Sequence, residues 1–96
     1  MMPYWVYVLR SESANRRYVG QTDDLERRLN RHSSGLVFST APYRPWRLVL
    51  SEEFEVRSEA MRREQHLKSG KGREFLDQLE QRLNRQSLSA SGGINH

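Results

Sequence analysis

Ninety-six residues suffice for one modest hydrophobic core and are too few for two. The absence of cysteine excludes disulfide staples, thiolate zinc sites and thiol catalysis, and fits a reducing cytoplasm. The 16 Lys and Arg against 12 Asp and Glu leave a formal charge of +4, and no stretch approaches the ~20 apolar residues of a membrane span or follows the pattern of an export signal, so a soluble chain with no membrane association is expected.

Tyr4-Trp5-Val6-Tyr7-Val8-Leu9 joins aromatic and β-branched residues without a helical period, which predicts a central strand. The polar stretch Ser11 to Arg16 predicts a turn, and Arg17-Tyr18-Val19 a second strand that pairs with the first as an antiparallel hairpin. Alternation puts Trp5, Tyr7 and Leu9 on one face; on the second strand it groups Tyr18 with Gly20 and turns Val19 the other way.

The second strand passes straight into a helix beginning near Asp24, with Thr22 or Asp23 as its cap and Glu26 at capping-box spacing from Asp23. Positions 25, 28, 29 and 32 share one stripe, so Arg28 and His32 stand one turn apart at the core's edge beside Leu25 and Leu29. Arg27 and Arg31 point to solvent, where they can meet water, acidic side chains or phosphate. All of the excess charge lies in this half: residues 10–47 hold eight basic and four acidic side chains, residues 48–85 eight of each. Fourteen of the cations are Arg, the side chain suited to bidentate phosphate contact, and both a polyanion-binding face and a merely solvated basic surface fit that pattern.

Ser33-Ser34-Gly35 predicts the helix stop, and Gly35, Pro42 and Pro45 keep the following stretch irregular. This loop carries Phe38, Ser39, Thr40, Tyr43 and Arg44, each able either to reach a phosphate or base or to pack a stiffened connection onto the core. Trp46-Arg47-Leu48-Val49-Leu50 predicts the third strand. Glu53 to Lys68 has helical composition, with Val56, Ala60, Met61 and Leu67 as its apolar stripe. Glu64 lies inside that stripe, which turns its carboxylate toward the core side, where it needs a cation, a metal or several donors. After Ser69-Gly70-Lys71-Gly72, the residues Phe75, Leu76, Leu79 and Leu83 give a last helix its apolar face. Gln86 to Asn95 is rich in Ser and Gly and uncharged, which predicts a domain over 1–84 followed by a disordered tail over 85–96. The order β-β-α-β-α-α describes an α+β domain with helices against a three-stranded antiparallel sheet.

Four positions thus offer chemistry that can converge: Tyr7, Arg28, His32 and Glu64. Singly, each also has an ordinary structural role, as a packed strand tyrosine, an edge histidine or a buried ion pair of Arg28 with Glu64. Together with Trp5-Val6-Tyr7, Tyr18-Val19-Gly20, Asp24-Leu25-Glu26-Arg27-Arg28 and Leu67-Lys68-Ser69-Gly70-Lys71-Gly72-Arg73, they make the sequence resemble the GIY-YIG nuclease superfamily over roughly residues 3 to 80, in its small stand-alone bacterial form. Trp5 stands where the family has Gly, and Val6 and Val19 where it has Ile.

The resemblance implies a metal-dependent endonuclease acting on DNA, including branched, damaged or single-stranded DNA, with a place in DNA repair. It implies one Mg²⁺ or Mn²⁺ held by Glu64 with water and phosphate oxygens. Tyr7 would be the general base or water-orienting group, with a nearby cation favouring its phenolate; Arg28 would bind the scissile phosphate; His32 would exchange a proton with the tyrosine; and Tyr18 would orient phosphate or water. Arg27, Arg31, Tyr43, Arg44 and Lys68 would contact DNA. Two other readings stay open: a nucleic-acid-binding module without catalysis, and a subunit active only with a protein partner.

Overall fold

The middle strand β1 (Tyr4–Ser11) pairs on one side with β2 (Arg17–Thr22) and on the other with β3 (Trp46–Phe54), giving an antiparallel sheet of order β2-β1-β3. This computed structural model describes the backbone of residues 3–94 and the side chains of residues 3–86. Helix α1 (Leu25–Ser33) follows β2, a 3-10 turn (Ala41–Tyr43) precedes β3, and α2 (Arg57–Lys68) and α3 (Gly70–Ile94) follow it. The α+β class and the order of elements are those expected from the sequence.

The backbone falls into two compact units, residues 1–65 and residues 66–96. In the first, Val6, Tyr7, Val8 and Leu9 are at most 1% exposed, so β1 is buried on both faces, which explains why its apolar run does not alternate with polar residues. Burial of each such side chain stabilises by roughly 1.5–3 kcal/mol. In the second unit Leu67 and Leu76 are fully buried. Gly72 lets α3 start hard against the end of α2: a Cβ there would overlap His66 O and the Leu67 backbone.

Local chemistry sets the joints. The Ser11 hydroxyl accepts from the N–H groups of Ser13 (3.1 Å) and Ala14 (3.0 Å), shaping the β1–β2 turn, and donates to Tyr43 O at 2.7 Å. The cap of α1 is Asp24, one residue after Asp23 and two after Thr22, the two candidates: its carboxylate accepts from Arg27 N at 3.1 Å, while Thr22 Oγ1 accepts from Asp24 N at 3.1 Å. The helix stops at Ser34 and at Gly35, whose φ of 80° lies in the left-handed region.

Three expectations are corrected. β3 continues four residues beyond Leu50, because Ser51 to Phe54 pair with Tyr7 to Tyr4 across the sheet; α2 therefore starts at Arg57 and not near Glu53. A register shift opposite Val8 and Leu9 leaves Val49 as the extra residue of a β-bulge. On α2 the buried stripe runs from Ala60 through half-buried Arg63 and Glu64 to Leu67, so Val56 and Met61, 49% and 43% exposed, lie off it. α3 is helical from Gly70 to Ile94, with no break at residues 84 and 85; Ser and Gly cost a helix about 0.5–1 kcal/mol each without forbidding it. The side chains of 87–94, and residues 95 and 96 altogether, lie outside the described residues. Among the described residues no helix is long and apolar enough to cross a membrane.

Candidate active site

Tyr7 faces Gly20 across the β1–β2 ladder, and the missing side chain of Gly20 is the space its hydroxyl occupies. A Cβ at position 20 would stand 2.8 Å from the Tyr7 hydroxyl and 2.8 Å from Tyr18 Cε2. Tyr18, diagonal to Tyr7 on the same face, brings its ring centroid to 6.0 Å from that of Tyr7. From α1, the ring of His32 closes the group at 5.6 Å from Tyr7 and 4.9 Å from Tyr18. Two strand tyrosines and one helix histidine thus form an aromatic cluster whose polar atoms converge.

His32 is 1% exposed and held at both nitrogens: Nε2 lies 2.9 Å from the Tyr7 hydroxyl and Nδ1 lies 2.8 Å from Thr40 Oγ1. The Thr40 hydroxyl donates its proton to Val37 O at 3.3 Å, so toward the ring it acts as acceptor. That assigns the hydrogen to Nδ1 and leaves Nε2 as an acceptor for the Tyr7 O–H. The neutral ring this requires is also the one its surroundings favour: burial, then the positive charges of Arg28 and Arg31, hold the His32 pKa below its ordinary 6.5.

Tyr7 is fully buried, and burial, followed by the neighbouring Tyr18 hydroxyl, pushes its pKa well above the ordinary 10.0; Arg28 opposes the shift and the Glu64 carboxylate adds to it. The cation expected to favour a phenolate is therefore present but outweighed by desolvation, and Tyr7 rests as the neutral phenol. Glu64, half-buried on α2, accepts from the Gln21 side chain at 2.9 Å. Gln21 and Arg28 together line a cleft with Tyr4, Thr22, Asp23 and Arg57. Thr22, Asp23 and Arg28 continue into a second depression lined also by Asp24, Arg27 and Arg31. Asp24, Arg27 and Arg31 also line a third, with Glu26, Asn30, Ser34 and Leu36. Lined in part by the same residues, the three depressions make up a trough along α1.

Among the described residues no group of three or more His, Asp or Glu side chains could hold a metal ion. A single carboxylate, supported by an amide, suits Mg²⁺, which keeps most of its water and takes substrate phosphate oxygens; it does not suit a protein-caged Zn²⁺ or Ca²⁺.

The chain matches the model of the GIY-YIG catalytic domain over residues 3–77. It belongs to the GIY-YIG family. A UPF0213 protein of Staphylococcus haemolyticus is 35% identical over 83 residues, covering 85% of this chain and 100% of that protein. One from Streptococcus agalactiae is 36% identical over 86 residues, covering 88% of this chain and 97% of its own length. The solution NMR structure of the UPF0213 protein BH0048 from Bacillus halodurans is 36% identical, covers 81% of this chain and 85% of that one, and superposes with a TM-score of 0.51.

Within this GIY-YIG domain the two tyrosine triplets are adjacent strands, Trp5-Val6-Tyr7 in β1 and Tyr18-Val19-Gly20 in β2, and the last residue of one faces the last residue of the other. Tyr7, Tyr18 and His32 are brought into contact, and Arg28 and Glu64 act on the same hydroxyl through their charge. Arg27 and Arg31 are exposed and line the trough. Tyr43 and Arg44 have local partners: the Arg16 guanidinium lies 4.5 Å above the Tyr43 ring, and exposed Arg44 donates from Nε to Ala41 O at 3.0 Å beside Gly35. Lys68 is exposed at the end of α2, in the second unit. Thr40, by sequence a loop residue able to meet phosphate, is 2% exposed and holds the histidine. Sequence reasoning missed Gln21. No local pattern marks it, since its partner Glu64 lies 43 positions away.

Proposed function

We propose that the protein is a divalent-metal-dependent endonuclease that hydrolyses DNA phosphodiester bonds. The observation that carries this reading is the Tyr7 hydroxyl held 2.9 Å from the acceptor nitrogen of a neutral His32, with Arg28 alongside. As water attacks phosphorus, a new O–P bond forms and the bond to the leaving sugar oxygen breaks. The water proton passes to the Tyr7 oxygen while the phenolic proton moves to His32 Nε2, so no free phenolate has to form first; the leaving sugar oxygen takes a proton from solvent, and the step requires that bound substrate expose the Tyr7 hydroxyl, which is buried in the free protein. A relay of this kind supplies roughly 10²–10⁴ in rate. The arrangement also explains why a tyrosine with a raised pKa suits the task, since the proton acceptor is the histidine.

Arg28 lines the trough, which supports a role in binding the scissile phosphate and offsetting the charge that builds on its oxygens. Thr40 keeps Nε2 of His32 free to accept, and Tyr18 packs the hydroxyl of Tyr7 into position. Glu64, oriented by Gln21, would hold the metal ion, which when bound polarises a phosphate oxygen and lowers the cost of its extra charge. Arg27 and Arg31 contribute sequence-independent attraction for the backbone.

The experiment incubates purified protein with labelled single-stranded, nicked and branched DNA, with Mg²⁺, with Mn²⁺ and with chelator. Cleavage that needs the ion and disappears in Tyr7→Phe is expected. Cleavage that persists undiminished in Tyr7→Phe, or in chelator, contradicts the assignment. The basic trough equally favours a binding module without catalysis, for which the same DNAs would be bound and left intact with either ion.

A further inference from the structure

We propose that Tyr4 and Arg57 form a nucleotide subsite next to the reacting phosphate, on the side of Arg28 away from Arg27 and Arg31. The inference rests on the phosphodiesterase reading and adds a substrate class to it: one strand of nucleic acid that continues past the scissile phosphate in both directions.

The first segment of the trough is a cleft of about 260 Å³ walled by Tyr4, Gln21, Thr22, Asp23, Arg28 and Arg57, against ~30 Å³ for a single water. Arg28 stands at the junction between this cleft and the segment of Arg27 and Arg31. A phosphate bound at Arg28 therefore has further arginines on both sides, with Asp23 and Asp24 among them. Toward α1 the chain supplies Arg27 and Arg31; in the other direction it supplies Arg57, exposed at the first position of α2.

Charge alone does not define a nucleotide site, but Tyr4 adds the second requirement. It is a half-buried aromatic side chain at the start of β1, paired with Phe54, and it lines the same cleft as the two guanidiniums. An aromatic surface beside paired cations is the arrangement that accepts a base or sugar next to its phosphate. Asp23 shares the cleft and sets a limit on anion binding there, yet two arginines against one carboxylate leave the segment positive. Gln21 lines the cleft and donates to Glu64, so one side chain links the subsite to the carboxylate that would hold the metal.

The test measures binding in chelator, where cleavage does not interfere, by anisotropy of dye-labelled single-stranded oligonucleotides with wild type, Tyr4→Ala, Tyr4→Phe, Arg57→Ala and Arg57→Lys. Tyr4→Ala is expected to weaken binding by about 5-fold or more, since base stacking on an aromatic contributes ~1–3 kcal/mol, and Tyr4→Phe should bind like wild type. Arg57→Ala should lower the slope of log affinity against log salt by ~0.7, with Arg57→Lys restoring it. Because Arg57 is exposed and Tyr4→Phe keeps the packing, these variants report on binding even if Tyr4→Ala fails to fold. Affinity and salt slope unchanged in Arg57→Ala, or a Tyr4→Ala that folds and binds as wild type, overturns the subsite alone. Wild-type protein that binds none of the oligonucleotides at low salt overturns the phosphodiesterase reading and the subsite together.

Discussion

The hydroxyl of Tyr7 and the Nε2 atom of His32 lie 2.9 Å apart although 25 positions separate the two residues, one in the central strand and the other in the last turn of α1. Both groups are neutral in this pair, and both resist ionisation. For His32 the folded pKa is below 6.5, so near and below that pH the unfolded chain binds more protons than the folded one, and stability is lost as pH falls. For Tyr7 the folded pKa is above 10.0, so the folded chain keeps its proton where the unfolded chain releases it, and stability is lost as pH rises beyond 10.0. Urea midpoints measured across pH should fall on both sides of a neutral plateau. An acid limb that is no shallower in a folded His32→Gln variant would show that other groups set it.

Thr40→Val keeps the shape of the side chain and removes the acceptor for His32 Nδ1–H. A buried donor left without a partner costs ~1–3 kcal/mol, so denaturant unfolding should show a decrease of that order. Thr40→Ser restores the hydroxyl and should recover stability and the pH profile of cleavage together.

Gly20→Ala tests the fit between the strands. Its Cβ would press on the Tyr7 hydroxyl and on Tyr18 at 2.8 Å, and both rings belong to the packed cluster. A destabilisation of about 1–3 kcal/mol is expected, with cleavage reduced more than DNA affinity. A melting temperature and turnover equal to wild type would mean the rings move aside freely.

Glu64→Gln retains an oxygen able to accept from Gln21 while removing the negative charge. Fold and DNA affinity in chelator should therefore persist, and metal-dependent turnover should nearly vanish. Single-turnover cleavage together with thermal unfolding decides the matter: a folded variant that still cleaves with Mg²⁺ removes Glu64 from the metal site.

Arg27→Ala and Arg31→Ala should each weaken binding to duplex DNA about equally for every sequence and reduce the salt slope by ~0.9 for each phosphate that is no longer neutralised. The position of the cleaved bond should not change. Titrations from low to physiological salt that give a flat affinity would show that the arginines of α1 do not meet phosphate.

The strands, the order of elements and the tyrosine pair were legible because each depends on local pattern: a β-branched and aromatic run for β1, and the Tyr18 to Gly20 alternation for β2. The stripe of α1 likewise placed His32 inward and Arg27 and Arg31 outward, as observed. What local pattern could not show was pairing at a distance. Glu53 looks like the start of a helix, but pairing with Trp5 draws it into β3 after Glu52, which lies opposite Val6 and meets Arg63 through two hydrogen bonds of 2.7 and 3.0 Å. Thr40 resembles any polar loop residue until the fold delivers it to a histidine eight positions earlier. Desolvation of Tyr7 was hidden for the same reason: the sequence names the cation beside it, whereas the burial that outweighs that cation is a property of the assembled core.

The indole N–H of Trp46 donates to Thr40 O at 2.8 Å, the carbonyl of the same residue whose hydroxyl holds His32. An indole in such a bond emits light whose colour and yield depend on that bond. The protein therefore carries its own optical reporter, attached through one residue to the hydrogen bond between His32 and Tyr7. With Trp5 replaced by Phe, Trp46 becomes the single indole, and changes at the histidine become visible without any label.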